Sequence, residues 1–268
     1  MRYALEGVFR VNEPDKPGTY QNAQRDEDLT LPGRQRPLGS LHLLTQVQKQ
    51  LEDLFVRMGF DLMTGSELET AHYQFDALQH PKDSLARAEA FYLNDNLLLR
   101  TSPASMAVRA LEKRRPPVRV LCSARCYQRD IKKGRRENAI VSHRSEALWI
   151  DRGLGFAHLK ALVQLVLDEF FGKGFETQTH WVESPYTRLS IEVQARRRSG
   201  SNASGNPWKP ILSGGLIDTA VLQEVDYDPE IYSGFVLGLV IEPIAMLKYG
   251  IDDDRTLYQN DMRFLETF

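Results

Sequence analysis

The stretch Gly234-Phe-Val-Leu-Gly-Leu-Val-Ile-Glu-Pro-Ile-Ala-Met-Leu-Lys-Tyr-Gly-Ile-Asp-Asp253 decides how the rest of the chain reads. Its first half is an almost unbroken apolar run, the pattern of a strand buried on both faces, and predicts a strand over Phe235–Ile241. A short helix is expected over Ile244–Lys248, stopped by Gly250. Pro243 falls where a first helical residue belongs, a place that tolerates a missing N–H. Gly238 marks a point where the backbone passes close to something else. A helix N-terminus pointing out of a sheet offers unpaired N–H groups to an anion. A core strand with a capping helix fits the same residues without any ligand.

Around this stretch lie 268 residues, 42% of them hydrophobic, enough to bury one large core. One domain is expected over 39–268, preceded by a polar, proline-rich arm or leader at 1–38 with a turn at Asp15-Lys-Pro-Gly18 and a short strand at Ala4–Val11. The formal charge of −2 points to neither a nucleic-acid nor a membrane surface. The two cysteines, Cys122 and Cys126, alternate with Val118, Val120 and Ala124 and read as buried free thiols. No metal site is suggested by any histidine spacing. No apolar run reaches membrane length and no signal-peptide core is present, so a cytoplasmic protein is expected.

Working outward, apolar residues at three- and four-residue steps predict a helix over Leu41–Met58 closed by Gly59, and a second over Phe156–Phe171 closed by Gly172. Phe91–Thr101 reads as a hairpin about Asn94-Asp-Asn96, and Val108–Leu111 as helix. Strands are expected at Val118–Tyr127, Ala147–Asp151 and Trp208–Ile217. The basic stretches Lys132-Lys-Gly-Arg-Arg136 and Arg196-Arg-Arg198 read as loops, either solvated tips or contacts for a phosphate backbone.

The opening stretch resembles the third signature motif of class II aminoacyl-tRNA synthetases, in the form carried by the phenylalanyl-tRNA synthetase α-subunit. It keeps Gly234, Phe235, Gly238, Ile241, Glu242, Ala245, Met246, Leu247, Tyr249, Gly250 and Ile251, with Val240 for a glycine and Pro243 for an arginine. The segment Gly59-Phe-Asp-Leu-Met-Thr-Gly-Ser-Glu-Leu-Glu69 is similar to the first motif, with Ser66 for its proline. Ala124-Arg-Cys-Tyr-Gln-Arg-Asp130 and Ser142-His-Arg-Ser-Glu-Ala147 are similar to the two strands of the second, with Gln128 for an arginine and Arg144 for a glutamine. Ser184-Pro-Tyr-Thr-Arg-Leu-Ser-Ile-Glu-Val193 stands where the family has Phe-Pro-Phe-Thr-Glu-Pro-Ser-x-Glu-Val.

The resemblance runs from Asp28 to Phe268 and implies an α+β fold, a class II synthetase-like antiparallel sheet flanked by helices. It implies a ligand pocket lined by His143, Arg144, Glu146, Ser184, Tyr186, Arg188 and Val236. It implies an ATP site built from Arg125, Gln128, Arg129, Glu242 and Pro243, in which Gln128 and Pro243 replace the two arginines that hold ATP. In the family, adenylation places developing phosphate charge against fixed cations, usually the largest catalytic contribution. The expectation is therefore a divergent paralogue that has lost ordinary ATP-dependent activation and keeps a pocket for an amino-acid-like, aminoacyl or tRNA ligand. ATP and Mg²⁺ enter only if adenylation is retained, with Arg125, Arg129 or Arg136 taking over the phosphate contact in a ligase of non-Phe specificity. A third reading is a non-catalytic dimeric RNA- or protein-binding module, with Lys132, Lys133, Arg135, Arg136, Arg196, Arg197 and Arg198 as RNA contacts. A homodimer is expected from the first motif.

Overall fold

The computed structural model describes residues 39–129, 139–198 and 207–268. The chain divides after Ser40, and the larger unit, Leu41–Phe268, holds every strand and helix among the described residues. The strand expected at Ala4–Val11 and the loop carrying Lys132, Lys133, Arg135 and Arg136 lie outside the described residues.

Helix α1 (Leu43–Arg57) begins at His42, whose Nδ1 accepts the Leu44 N–H at 3.2 Å, and it buries Leu43, Leu44, Val47, Leu51, Leu54 and Phe55 along one stripe. Strand β1 (Asp61–Met63) follows, then β2 (Leu68–Thr70), a turn of π-helix at His72–Asp76 and the short α2 (Leu85–Ala88). The hairpin β3 (Phe91–Tyr92) and β4 (Leu97–Leu99) turns at Asn94, whose side chain accepts the Asn96 and Leu97 N–H groups. Then come α3 (Ala104–Lys113), β5 (Val118–Arg129), β6 (Ala139–Asp151), α4 (Phe156–Phe170), β7 (Phe175–Trp181), β8 (Thr187–Arg197), β9 (Lys209–Ile217), α5 (Thr219–Glu224), β10 (Ser233–Val240), α6 (Ile241–Tyr249) and α7 (Met262–Leu265).

Seven strands form one sheet in the order β1-β5-β6-β10-β9-β8-β7, and β2-β4-β3 form a small second sheet. The large sheet is antiparallel except at one edge, where β1 pairs with β5 in parallel, so it is mixed rather than wholly antiparallel. Period-two alternation sends Leu121, Ala147, Phe235, Leu237 and Leu239 to the face covered by α1, α4 and α6. Val118, Val120, Leu148, Ile150 and Val236 go to the other face, under α3 and α5. Both sides of β10 are thus buried, which is why it reads as an unbroken apolar run.

Three expectations are corrected. The strand ends at Val240 and the helix starts at Ile241, so Pro243 is the third helical residue rather than the first. It still lies in the first turn, where N–H groups have no intrahelical partner to lose. Strand β6 begins eight residues earlier than Ala147, because the β5 ladder holds the polar run Ser142–Ser145 in register, Arg125 opposite His143 and Cys122 opposite Glu146. Arg196 and Arg197 belong to β8 rather than to a loop. Gly250 ends α6 at φ +73°, a left-handed conformation that its missing Cβ permits.

Gly234 is needed for a different reason. A Cβ there would sit 2.5 Å from the Trp149 carbonyl oxygen and 2.7 Å from Ile150 Cγ1 of β6. Gly234→Ala is expected to cost about 1–3 kcal/mol, seen as a lower urea midpoint at unchanged slope. Both thiols are buried on the α3 face, and desolvation pushes each up to about 12. The folded protein should therefore resist thiol reagents until urea exposes both groups; rapid native labelling would contradict the placement.

Candidate functional site

Alternation along β6 decides the site. Arg144 and Glu146 point to the α3 face, and there they line a cavity of about 320 Å³ with Val236, Gly238 and Val240 of β10 as its floor. Gly238, without a side chain, keeps the floor open beside Ser213 of β9. Ser102 and Pro103 form one wall, and Ser184 and Tyr186, from the turn before β8, another.

The two charged groups of β6 do not pair with each other. Arg144 Nη2 donates to Gln128 Oε1 at 2.9 Å and its Nε to Ser142 Oγ at 3.3 Å. Glu146 is 4% exposed, and its Oε1 is buried with no hydrogen-bond partner. Burial pushes its carboxyl up to about 7, against the opposing pull of the Arg144 charge. The Glu146 charge, with burial second, holds the Tyr186 phenol well above its ordinary value.

Beyond Tyr186 and Val236 lies a narrow apolar cleft between α3, α5 and the sheet, with a cavity volume of about 10 Å³, lined by Leu78, Ala107, Leu111, Leu148 and Ile217. Arg188, expected in the lining, is not there: its side chain is 57% exposed and its Nε lies 3.6 Å from Asp218. The resemblance that suggested Arg188 does not fix its direction: Arg188 follows the buried Thr187 in regular register with β9 and so faces the other way, just before a bulge with Leu189 at φ +49°.

His143 also lies outside the lining, because it is one residue out of phase with Arg144 and faces the α1 side of the sheet. It meets Glu242, whose Oε1 accepts the His143 backbone N–H at 2.6 Å, contacts His143 Nδ1 at 2.9 Å and accepts the Tyr258 hydroxyl at 2.5 Å. Desolvation, then this bond, raise the Tyr258 phenol. Arg125 shares a second cavity of about 390 Å³ with His143, Tyr258, Tyr127 and His42 on this side. Arg129 Nη2 donates to the Ala88 carbonyl at 2.8 Å and its guanidinium lies over Phe91. The five residues expected around ATP are thus divided between two faces: Gln128 joins the pocket side, Arg125, Arg129 and Glu242 the other. Pro243 borders a shallow cavity with Lys209, Pro210 and Asp252.

Among the described residues no group of three or more His, Cys, Asp or Glu side chains could hold a metal ion. Glu242 gives one oxygen to His143 and Tyr258 and keeps the other, Oε2, buried without a partner. These residues do not fit a protein-built Mg²⁺ cage. Of the five arginines expected on RNA, three lie among the described residues, and two of these are committed within the fold. Arg196 bonds Glu176 at 2.7 Å, and Arg197 donates to the Leu247 and Lys248 carbonyls at the end of α6. Arg198 is exposed, 4.0 Å from the same Glu176.

Sequence reasoning missed Ser190 and Ser213 in the lining, and away from it the buried Arg100. Arg100 is 5% exposed and donates to the carbonyls of Arg125, Gly65 and Ser66, tying β4 to β5 and to the segment before β2. Its only signal was an arginine directly after the apolar run Leu97–Leu99.

The family described as tRNA synthetases class II core domain (F) matches residues 26–268. The phenylalanine–tRNA ligase alpha subunit of Alkaliphilus oremlandii is 37% identical over 248 residues, covering 90% of this chain and 73% of that protein. That of Syntrophus aciditrophicus is 40% identical over 250 residues, covering 90% and 72%. The crystal structure of pyrrolysyl-tRNA synthetase from Desulfitobacterium hafniense superposes with a TM-score of 0.60 at 17% identity, over 81% of this chain and 73% of that one, a likeness of fold. No helix among the described residues is long and apolar enough to cross a membrane. Mixed sheet, flanking helices and sequence agree: the chain belongs to the class II tRNA synthetase core-domain family, as a homologue of phenylalanine–tRNA ligase alpha subunits.

Proposed function

We propose that this chain is a divergent member of its family that binds an amino-acid-like ligand in the pocket of β6 and β10 without ordinary ATP-dependent activation of it. The observation that carries the reading is the contact between Gln128 and Arg144. The side chain at position 128 is neutral, and its oxygen occupies Arg144, the single cation in the pocket lining among the described residues. Position 243 carries proline, which has no charge to place on a nucleotide. Loss of one positioned donor typically costs ~2.7–4 kcal/mol of barrier, and two losses compound. tRNA and a second copy of the chain belong to this reading as partners. For the second copy the support is β1, a sheet edge with Leu62 exposed.

One observation favours an alternative, an active ligase with non-Phe specificity and a rebuilt ATP site. Arg144 brings a guanidinium to the neighbourhood of position 128, as Arg125 and Arg129 on the other face do not. ATP–pyrophosphate exchange, run with each of the standard amino acids, separates the two. No exchange above background is expected with any of them; sustained exchange with one would establish the alternative and name its substrate.

A further inference from the structure

The large sheet ends in β7, and among the described residues no strand pairs with its outer side. Its ladder with β8 is regular throughout, flanked by an Arg198 N–H bond to the Gly174 carbonyl and a Val182 N–H bond to the Ser190 carbonyl, each at 2.9 Å. In an antiparallel pair alternate residues turn both backbone groups to the partner strand, and those between turn theirs away. Glu176, Gln178 and His180 therefore bond β8, in phase with Val182. Phe175, Thr177, Thr179 and Trp181 hold their N–H and C=O groups outward. Natural sheet edges are usually blunted by proline, lysine or a bulge. Phe175-Glu-Thr-Gln-Thr-His-Trp181 has none of these.

This strand reads nearly alike from either end. Turned about Gln178 and laid against a second copy of itself, it sets outward-facing residues opposite outward-facing residues, as an antiparallel ladder requires. Phe175 then meets Trp181 of the second copy, Thr177 meets Thr179, and Glu176 meets His180. Aromatic pairs, threonine pairs and pairs of opposite charge are the cross-strand neighbours that stabilise a sheet. Imidazole offers the carboxylate an N–H in either charge state. A shift by one residue would set outward groups against inward ones, and a shift by two would unpair both aromatics. Trp181 is 68% exposed, the most exposed large apolar side chain among the described residues, and it stacks on Phe156 of α4 at 5.5 Å. An aromatic ring held rigid in water is the usual anchor of a protein interface.

We propose that β7 is a self-association edge, through which two copies of this chain join antiparallel about Gln178 into one continuous sheet. The occupant is a second copy because the edge complements itself in charge, in aromatic placement and in hydrogen-bonding phase. This surface lies at the opposite end of the sheet from β1 and is independent of what the pocket binds.

Sedimentation equilibrium of the intact chain over a dilution series, beside Thr179→Pro, tests this. The Thr179 N–H faces away from β8, so proline removes an outward donor and spares the native ladder. A reversible dimer is expected, weakened about tenfold or more by the proline, since each copy then leaves an acceptor unmet. Gln178→Cys supplies a second readout, and carries the test alone if proline unfolds the edge. Symmetric pairing sets the two new thiols opposite each other at a Cα separation of about 4.5 Å, within disulfide reach. Mild oxidation should link two copies through them, while the buried Cys122 and Cys126 do not compete. His180→Cys should not link, because its symmetry mate lies four positions along the paired strands. A monomer at every concentration, a dimer unmoved by Thr179→Pro, or a dimer that fails to link at position 178 overturns the proposal. The reading of the pocket stands in each case.

Discussion

Arg100→Met is expected to lower the unfolding free energy by about 3–4 kcal/mol. The guanidinium is 5% exposed and donates to three backbone carbonyls, at 2.7 Å to Arg125 and 3.0 Å to each of Gly65 and Ser66. Methionine preserves the apolar stem but leaves those carbonyls without donors, at about 1–3 kcal/mol each. Relief of the desolvated charge offsets part of that sum. Arg100→Lys should recover only a fraction, because an ammonium is a point donor and cannot bracket acceptors on two separate segments. Urea denaturation reads the difference directly. A methionine variant within about 1 kcal/mol of the natural protein would show that β4 and β5 are held together without the guanidinium, by the Tyr127 N–H to Arg100 carbonyl bond and apolar contacts.

The second large effect has the opposite sign and depends on pH. Glu146→Gln should stabilise the protein at pH 8 by about 3 kcal/mol, raising the melting temperature by several degrees, and change little near pH 5. The folded state keeps the Glu146 proton up to about 7, whereas the unfolded chain releases it near the ordinary carboxylate value. A raised carboxyl contributes stability that is fully present below the unfolded value and is lost as pH rises through the folded one. The window is therefore roughly pH 4.5 to 7, and above it the protein carries a buried charge with no partner. Glutamine removes that charge in nearly the same shape. Parallel melting-temperature profiles for the two proteins from pH 5 to 8 would mean that Glu146 is already compensated.

The elements were legible wherever a period was clean. Helices α1 and α4 announce themselves through apolar residues at three- and four-residue steps, and β10 through apolar residues on both faces. The polar half of β6 carries no such signal; its pairing is fixed by the neighbouring strand, so only Ala147–Asp151 could be read from apolar content. Of the pocket, Arg144, Glu146, Ser184, Tyr186 and Val236 were legible, because the motif spacing holds through β6 and β10. His143 and Arg188 were not. One-residue phase puts His143 on the far face and points Arg188, next to the buried Thr187 and just before the bulge at Leu189, outward. Neither the bulge nor the commitment of Arg196 to Glu176 and Arg197 to the α6 carbonyls leaves a mark in composition, since both depend on what lies across a strand or beyond the next helix.

Calorimetric titration of the unmutated chain with ATP and Mg²⁺ tests the central claim most directly. With glutamine at 128 bonded to Arg144 and proline at 243, no saturable binding below the millimolar range is expected. Saturable binding at micromolar strength would contradict the claim and place this chain among ligases that hold ATP by other means.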